Sequence, residues 1–253
     1  MNTPFRIIAK LDIKDISIIK GINFEGMRKI GEAKKFAKSY FKENIDELII
    51  NDVNASLFGR NTALNFLKSS CEKIFIPITL QGGFRSLKNI SDAIRNGADK
   101  VSINTGAVKN KNLIPEASKK YGNQAIVVSI DAKKVGKKKW EVYIDKGRER
   151  TGLDVCRWIN YVQKSGAGEI HLNSIDKDGT ETGFDIDLVK SVSKICKIPI
   201  IIGGGLGKLI HLNPILKINS INGISISTVI HYKKLKISEI KNFIKKKRII
   251  RDK

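Results

Sequence analysis

Short apolar segments alternate with amphipathic segments along the chain, and this alternation constrains the fold more than any other feature. Eight apolar segments have the pattern of buried strands: residues 7–13, 47–52, 75–81, 99–105, 125–131, 169–174, 198–203 and 223–228. Helical spacing occurs between them, at residues 32–42, 61–71, 86–96, 153–165 and 187–196. Such alternation indicates parallel βαβ units, and eight units in 253 residues predict a closed (β/α)8 TIM barrel.

The first half of the chain recurs in the second half with an offset of 119–123 residues. The matched elements are Asp12 with Asp131, Glu47 with Glu169, Gly82-Gly83 with Gly204-Gly205, and Asn104-Thr105 with Ser227-Thr228. A constant offset indicates an internal repeat. We therefore predict two half-barrels, about residues 1–122 and 123–253. They form one domain, because no Pro-, Gly- or Ser-rich linker divides the chain.

Composition excludes several classes of protein. The chain has no apolar stretch of membrane-spanning length, and its N-terminal residues lack the apolar region of a signal peptide. Its three cysteines, Cys71, Cys156 and Cys196, are scattered, which indicates neither a disulfide framework nor a metal site. We expect a cytoplasmic protein with no metal and no cofactor.

The formal net charge of +22 would attract a polyanion. Most basic residues are nevertheless dispersed, and no nucleic-acid-binding motif accompanies them. The basic clusters are limited to residues 133–139 and 245–248. We therefore interpret the charge as a solvated surface and predict neither a specific nucleic-acid partner nor membrane binding.

Two carboxylates stand where active sites of such barrels are built, at the carboxyl ends of strands. Asp12 ends the first predicted strand and Asp131 ends the fifth, so the repeat places them across the barrel mouth from each other. In such a pair, one carboxyl group can act as a general acid and the other as a general base. The alternative is that each is held in a local ion pair by the lysine two residues later, Lys14 or Lys133.

The glycine pairs and hydroxyls of the repeat predict two phosphate sites. Backbone N–H groups of glycines approach an anion closely, and hydroxyl groups add donors. These residues follow strands 3 and 4 in one half and strands 7 and 8 in the other: Gly82, Gly83, Asn104 and Thr105, then Gly204, Gly205, Ser227 and Thr228. Asp178 and Gly179, after strand 6, can add to the second site. A ligand with a phosphate at each end would span the mouth.

Four charged residues fall near strand N-termini, at the opposite end of the barrel: Arg6, Glu47, Lys100 and Glu169. Two positive and two negative groups can neutralise one another there. From the residues alone, the simplest interpretation is a ring of ion pairs that stabilises the barrel bottom.

Longer blocks resemble the HisF family, the cyclase subunits of imidazole glycerol phosphate synthase, over nearly the whole chain. The blocks are residues 6–9, 11–15, 20–25, 97–105, 130–133, 166–170 and 174–180. The resemblance implies a lyase that takes ammonia from a glutaminase partner of the HisH type. It would close an imidazole ring on a bis-phosphorylated ribulosyl intermediate of histidine biosynthesis and release an aminoimidazole carboxamide ribotide.

The resemblance also implies residue roles. Asp12 and Asp131 would be the acid–base pair, and Lys20 on the first loop would help to cover the substrate. Gly83, Asn104 and Thr105 would hold one phosphate, and Gly179, Gly205, Ser227 and Thr228 the other. The ring of Arg6, Glu47, Lys100 and Glu169 would be the gate by which ammonia enters the barrel. Asp99 would contact the glutaminase in a heterodimer.

Some positions depart from the family pattern. Lys10 stands in place of a cysteine and Asn51 in place of an apolar residue, while Gln81 replaces the first glycine of a triple-glycine turn. Residues 56–61 and 147–152 are more similar to HisF paralogues thought to form an acetamidino group on a surface-polysaccharide sugar with channelled ammonia. A third alternative is a non-catalytic barrel that organises a glutaminase, against which the retention of both aspartates argues.

Overall fold

Eight parallel strands close into a barrel in the computed structural model, which describes residues 4–53, 64, 66–67 and 73–250. The described strands are β1 (Arg6–Lys14), β2 (Ser17–Ile22), β3 (Glu25–Glu32), β4 (Glu47–Asp52), β5 (Ile78–Gln81), β6 (Lys100–Ile103), β7 (Ile126–Gly136), β8 (Lys139–Ile144), β9 (Glu149–Asp154), β10 (Glu169–Ser174), β11 (Ile200–Gly203) and β12 (Ile221–Ile226). The barrel order is β1-β4-β5-β6-β7-β10-β11-β12, and β12 pairs with β1 to close it. The predicted eight-stranded barrel is confirmed.

Helices surround the barrel. The α-helices of the described residues are Ala33–Lys42, Leu87–Arg95, Thr105–Lys109, Leu113–Tyr121, Val155–Lys164, Ile186–Ser193, Asn213–Leu216, Thr228–His231 and Ile237–Lys245. Short 3-10 helices span Asn123–Ala125, Ile175–Lys177 and Leu209–Leu212. Four of the five predicted helices agree with these bounds to within three residues. The fifth, at residues 61–71, lies mostly outside the described residues.

Strand β1 shows why the barrel strands appear in the sequence as continuous apolar segments. Ile7, Leu11 and Ile13 join the large core between the strands and the helices, whereas Ile8 points to the other face. There it contacts Ile49 and Ile201 in a small separate cluster inside the barrel. Successive side chains of a strand face opposite sides, so both faces of this parallel sheet are buried.

Two antiparallel hairpins, which the sequence did not reveal, rise from the barrel mouth. β1 continues into β2 and β3, and the pseudo-equivalent β7 continues into β8 and β9. β1 and β7 lie four strands apart in both directions around the barrel. The hairpins therefore stand on opposite sides of the mouth.

Side-chain caps fix the start of several helices. Ser86 Oγ accepts the N–H of Asn89, Asp154 Oδ1 accepts that of Arg157, and Asp185 Oδ1 accepts that of Leu188. Such caps satisfy N–H groups that have no partner within the helix. No helix in the described ranges, which omit residues 54–63, 65 and 68–72, has the length and apolarity needed to cross a bilayer.

Candidate active site

A cleft at the carboxyl ends of the strands holds both predicted catalytic aspartates. Asp12 near the end of β1 and Asp131 in β7 line it from opposite sides of the barrel. The cleft contains about 750 Å³ of empty space, part of it open to solvent. Both carboxylates are almost completely buried, at 6% exposure each. Their environments therefore decide their protonation.

Asp12 is surrounded by cations and a hydrogen-bond donor. Lys10 Nζ lies 3.4 Å from its Oδ1 and Lys20 Nζ lies 3.5 Å from its Oδ2. Asn51 Nδ2 donates to Oδ1 at 2.7 Å, from the register partner of Asp12 on β4. Burial alone would raise the pKa of Asp12, but Lys10, Lys20 and the Asn51 bond hold it well below its usual range. Asp12 is thus a permanent anion.

Among the residues that the structure describes, Asn104 is the one close hydrogen-bond donor to Asp131. Asn104 Nδ2 donates to its Oδ2 at 2.7 Å, so this amide faces the carboxylate. Burial is the largest influence and, together with the negative charges of Asp178 and Asp12, it raises the pKa of Asp131 to about 6. The charge of Lys10 opposes that rise without cancelling it. Asp131 can therefore gain and lose a proton near neutral pH.

The local ion pairs with Lys14 and Lys133 are not what holds the two aspartates. Asp12 pairs with Lys10 and Lys20, and Lys133 Nζ instead lies 5.5 Å from the centre of the Tyr143 ring. Lys10 is itself buried at 5% exposure. Burial alone would lower the pKa of Lys10, but Asp12, Asp178 and Asp131 raise it, so this lysine is a cation in the cleft.

The β2–β3 hairpin covers one side of the mouth. Lys20 Nζ donates to Asp178 Oδ1 at 2.6 Å, and the N–H of Asn23 donates to the Asp178 carbonyl at 2.8 Å. A Cβ on Gly179 would lie 2.4 Å from the carbonyl oxygen of Gly21. Only glycine therefore lets the hairpin approach the loop after β10 this closely.

The predicted phosphate-binding residues fall into two groups on the two halves of the mouth. Gly82, Gly83, Asn104 and Thr105 all line the open cleft. On the other half, Gly204 and Gly205 pack against residues 174–183, the loop that carries Asp178 and Gly179. Both glycine pairs have positive φ, at 109° and 72° in the first and 87° and 106° in the second. Ser227 and Thr228 follow directly after β12, partly buried.

The four charges predicted at the barrel bottom form a closed ring. Arg6 donates to Glu47 at 2.7 Å and to Glu169 at 2.6 Å. Lys100 Nζ lies 3.2 Å from Glu47 and 3.3 Å from Glu169. Each cation therefore bridges both carboxylates across the lumen. Asp99, beside Lys100, is exposed at the same end, where its Oδ2 accepts the N–H of Ile78.

Two cleft residues were missed by sequence reasoning. Lys146, in the turn between β8 and β9, lines the cleft, and burial together with the charge of Arg148 lowers its pKa to about 8. Phe24, at the tip of the first hairpin, lies under Lys10 Nζ at 5.7 Å from the ring centre. The signal for both was weak, because each lies in a hairpin turn with positive φ and not at the end of a predicted barrel strand.

Comparisons with known proteins agree with this geometry. The profile of a family described as "Histidine biosynthesis protein" matches residues 6–236. A Legionella pneumophila protein is 48% identical over 208 residues, which cover 82% of this chain and 98% of that protein. A Clostridium botulinum (strain 657 / Type Ba4) protein is 42% identical over 242 residues, which cover 95% of this chain and 96% of that protein. A Prochlorococcus marinus (strain MIT 9215) protein is 42% identical over 248 residues, covering 96% of each.

All three relatives bear the name "Imidazole glycerol phosphate synthase subunit HisF", which describes each as a subunit of a larger enzyme. The profile match extends from residue 6 to residue 236 and includes every strand of the barrel. With a matching profile, relatives at 42–48% identity and an eight-stranded barrel carrying paired aspartates, the chain belongs to the histidine biosynthesis protein family and, within it, to the HisF group.

Proposed function

We propose that this protein is the cyclase subunit of an imidazole glycerol phosphate synthase. It uses ammonia from a glutaminase partner to convert a bis-phosphorylated ribulosyl aminoimidazole carboxamide intermediate to imidazole glycerol phosphate and aminoimidazole carboxamide ribotide. The observation that carries the proposal is the pair of aspartates in one cleft. Their pKa values move in opposite directions from ordinary carboxyl values.

The division of labour between the aspartates follows from their surroundings. Incorporating ammonia at a carbonyl carbon forms a C=N bond and releases water, so two protons leave nitrogen and two reach the departing oxygen. Ring closure then breaks the C–N bond to the aminoimidazole carboxamide ribotide, whose nitrogen takes up a proton. Asp131, with a pKa of about 6, can take the first proton and return it. Asp12 stays ionised beside Lys10 and Lys20 and stabilises positive charge that develops on the reacting nitrogen.

The two glycine pairs account for a substrate with two phosphates. Gly82, Gly83 and Thr105 bind one phosphate in the open half of the cleft, and Asn104 orients Asp131 beside it. The second phosphate binds beside Gly179, Gly204, Gly205, Ser227 and Thr228. Because the β2–β3 hairpin contacts Gly179, it must shift to admit that phosphate and then close over it. Lys20 sits on this hairpin and orders it through Asp178.

Ammonia enters through the opposite end of the barrel. A glutaminase of the HisH type docks on the N-terminal face next to Asp99, and the ring of Arg6, Glu47, Lys100 and Glu169 acts as the gate. We expect a heterodimer. Size-exclusion chromatography with the cognate glutaminase at micromolar concentration gives one peak at the summed mass if this is right. Two separate peaks contradict the docking.

Substitution of the aspartates tests the proposed chemistry. Asp12→Asn and Asp131→Asn each abolish turnover with ammonium salt while leaving the fold and phosphate binding intact. Circular dichroism and calorimetric titration of inorganic phosphate verify the fold and the binding. The exposed carboxylate Asp187 supplies the matched control, because Asp187→Asn removes the same charge from a residue that does not line the cleft. Unchanged turnover in Asp131→Asn would reject proton transfer by Asp131, and unchanged turnover in Asp12→Asn would reject charge stabilisation by Asp12.

The polar cleft residues favour one second candidate, an enzyme that uses the same ammonia route to form an acetamidino group on a surface-polysaccharide sugar. Lys10 stands where the HisF family has a cysteine, and Asn51 and Gln81 also line the cleft. The other argument from sequence, residues 56–61, lies outside the described residues. Mass spectrometry after incubation with nucleotide-linked sugars and ammonium detects this activity, and absence of product removes the candidate.

A further inference from the structure

Gln81 is the last residue of strand β5 and directly precedes the glycine pair of the first phosphate site. It lines the cleft at a position where the HisF family has the first glycine of a triple-glycine turn. A side chain fits there because Gln81 is still extended strand, whereas Gly82 and Gly83 have positive φ, at 109° and 72°. Gln81 therefore adds to the cleft a polar group that a glycine cannot supply.

The register of the sheet places Gln81 in one row with Asp12. Asp12 on β1 pairs with Asn51 on β4, and Asn51 pairs with Gln81 on β5. Register partners in neighbouring strands have their side chains on the same face of a sheet, so all three side chains face the cleft. Two strand spacings, about 10 Å, separate Gln81 from Asp12 along this row. Gln81 thus connects the phosphate site with the wall that carries Asp12.

The side-chain oxygen of Gln81 is buried, on a residue 7% exposed, and has no hydrogen-bond partner among the residues that the structure describes. A second amide oxygen next to the glycine pair is in the same condition. Asn104 follows the neighbouring strand β6 and donates its Nδ2 to Asp131, which leaves its Oδ1 without a partner in the same part of the chain. Buried acceptors without a donor are rare because they cost stability. Two of them beside one phosphate site indicate that a ligand supplies the donors.

Amide oxygens restrict the chemistry of the ligand group that they bind. Each oxygen offers lone pairs and no proton, so it binds an O–H or N–H group and repels an anion. The phosphate itself therefore lies on the backbone N–H groups of Gly82 and Gly83, and not against the Gln81 oxygen. Because Gln81 and Gly82 are adjacent in the chain, the group at Gln81 is separated from the phosphate by only a few bonds. A hydroxyl group of a phosphorylated polyol chain meets both conditions.

We propose that Gln81 is a specificity-determining residue that accepts a hydrogen bond from a hydroxyl group at the phosphorylated polyol end of the substrate. The inference deepens the proposed function and rests on it, because it uses the phosphate site at Gly82 and Gly83. The ribulosyl chain of the proposed substrate carries such hydroxyl groups. Bound at its phosphate and at Gln81, this chain extends along the row towards Asp12. Gln81 thereby selects hydroxylated phosphate esters over esters that lack the hydroxyl groups.

Two phosphate esters of equal chain length test this selection without turnover or a partner protein. Glycerol phosphate and propyl phosphate have the same carbon chain and one phosphate each, but only glycerol phosphate carries free hydroxyl groups. In calorimetric titration, we expect a dissociation constant for propyl phosphate about two- to tenfold above that for glycerol phosphate, which corresponds to one hydrogen bond. Inorganic phosphate is the reference ligand, because it needs only the glycine pair. Equal dissociation constants for the two esters would overturn the proposal.

Variants assign the selection to the Gln81 side chain. Gln81→Met keeps the side-chain length but removes the acceptor, so the preference for glycerol phosphate disappears while the dissociation constant of inorganic phosphate is unchanged. Gln81→Ala, which removes the acceptor by truncation, loses the preference as well. Gln124→Met is the matched control and keeps the preference, because Gln124 is exposed and does not line the cleft. A preference that persists in both Gln81 variants would overturn the role of Gln81.

Turnover assays separate this inference from the proposed function. We expect Gln81→Met to raise KM for the ribulosyl intermediate about two- to tenfold and to leave KM for ammonium unchanged. Selection between the two esters without any ring closure would keep the role of Gln81 and reject the cyclase activity. Ring closure with equal binding of the two esters would keep the cyclase and reject the role of Gln81.

Discussion

Replacing Asp12 or Asp131, the two aspartates of the cleft, by asparagine changes the stability of the protein, and the two changes have opposite signs. The pKa of Asp131 is about 6 in the folded protein, against about 3.9 for an unperturbed aspartate. Each pKa unit corresponds to about 1.4 kcal/mol, so the folded state loses about 3 kcal/mol as pH rises through this window. The sign follows because the folded state binds more protons than the unfolded state between pH about 4 and about 6.

Asp131→Asn removes this loss, so the variant is more stable than the parent at pH about 7 by up to about 3 kcal/mol. Asp12→Asn does the reverse. The folded pKa of Asp12 lies below its usual range, so its contribution to stability is present above pH about 4 and disappears as pH falls. Removing it leaves Lys10 without its ion-pair partner, at a cost of about 3 kcal/mol, since Lys20 keeps Asp178.

Urea denaturation between pH about 4.5 and about 7.5 measures both effects. The buried Trp140 and Trp158 report unfolding by fluorescence. We expect the denaturation midpoint of Asp131→Asn to exceed that of the parent at the upper end of this range and to converge with it at the lower end. A fall in stability for both variants, or a parent protein with no slope between pH about 4.5 and about 6, would refute the assignment of the two environments.

Three further predictions concern the ring, the lumen and the reaction. Glu47→Gln breaks two contacts of the buried ring, so we expect it to lower the free energy of unfolding by about 3–5 kcal/mol. Glu181→Gln is the control: it breaks a more exposed pair with Lys234 and changes this free energy by less than about 1 kcal/mol. The midpoints of urea denaturation compare the two variants. Gly203→Ala places a methyl group in the lumen, 2.6 Å from Ser225 Oγ, and costs about 1–3 kcal/mol, and a neutral result would contradict this close approach. Turnover at saturating substrate and ammonia falls as pH drops below about 6, because Asp131 becomes protonated. In Lys10→Met this fall in turnover begins at a higher pH, because the cation that lowers the pKa of Asp131 is gone. A pH–rate profile without either feature would argue against Asp131 as the titrating group.

Much of the barrel could be predicted from sequence because its strands are buried on both faces. Such strands form continuous apolar runs, as Glu47–Asp52 does at the predicted bounds. The hairpins could not be predicted in this way. The strand Glu25–Glu32 is exposed or half-buried at every position, so it carries no apolar pattern.

The site residues that recur in the internal repeat could be predicted from the sequence. Contacts between elements that are distant in the sequence could not. The internal repeat predicted that Asp12 and Asp131 face each other across the mouth. Lys10 has the same strand parity as Asp12, and this parity alone indicates that its side chain points into the barrel. The divergence of the two carboxyl pKa values depends on Lys10 and also on Lys20, which lies on the hairpin strand Ser17–Ile22 that the sequence did not reveal. His171 on β10 contacts Ser225 on β12 across the intervening strand, and sequence spacing contains no information about that.

Turnover of the bis-phosphorylated ribulosyl intermediate by the purified protein tests the central claim most directly. Ammonium salt at pH about 8.5 replaces the glutaminase, and chromatography follows both products. The account predicts imidazole glycerol phosphate and aminoimidazole carboxamide ribotide in equal amounts, at a rate on the order of 1 per second. Tight binding of a phosphate ligand with no ring closure would contradict it and would show that this barrel acts on a different phosphorylated substrate.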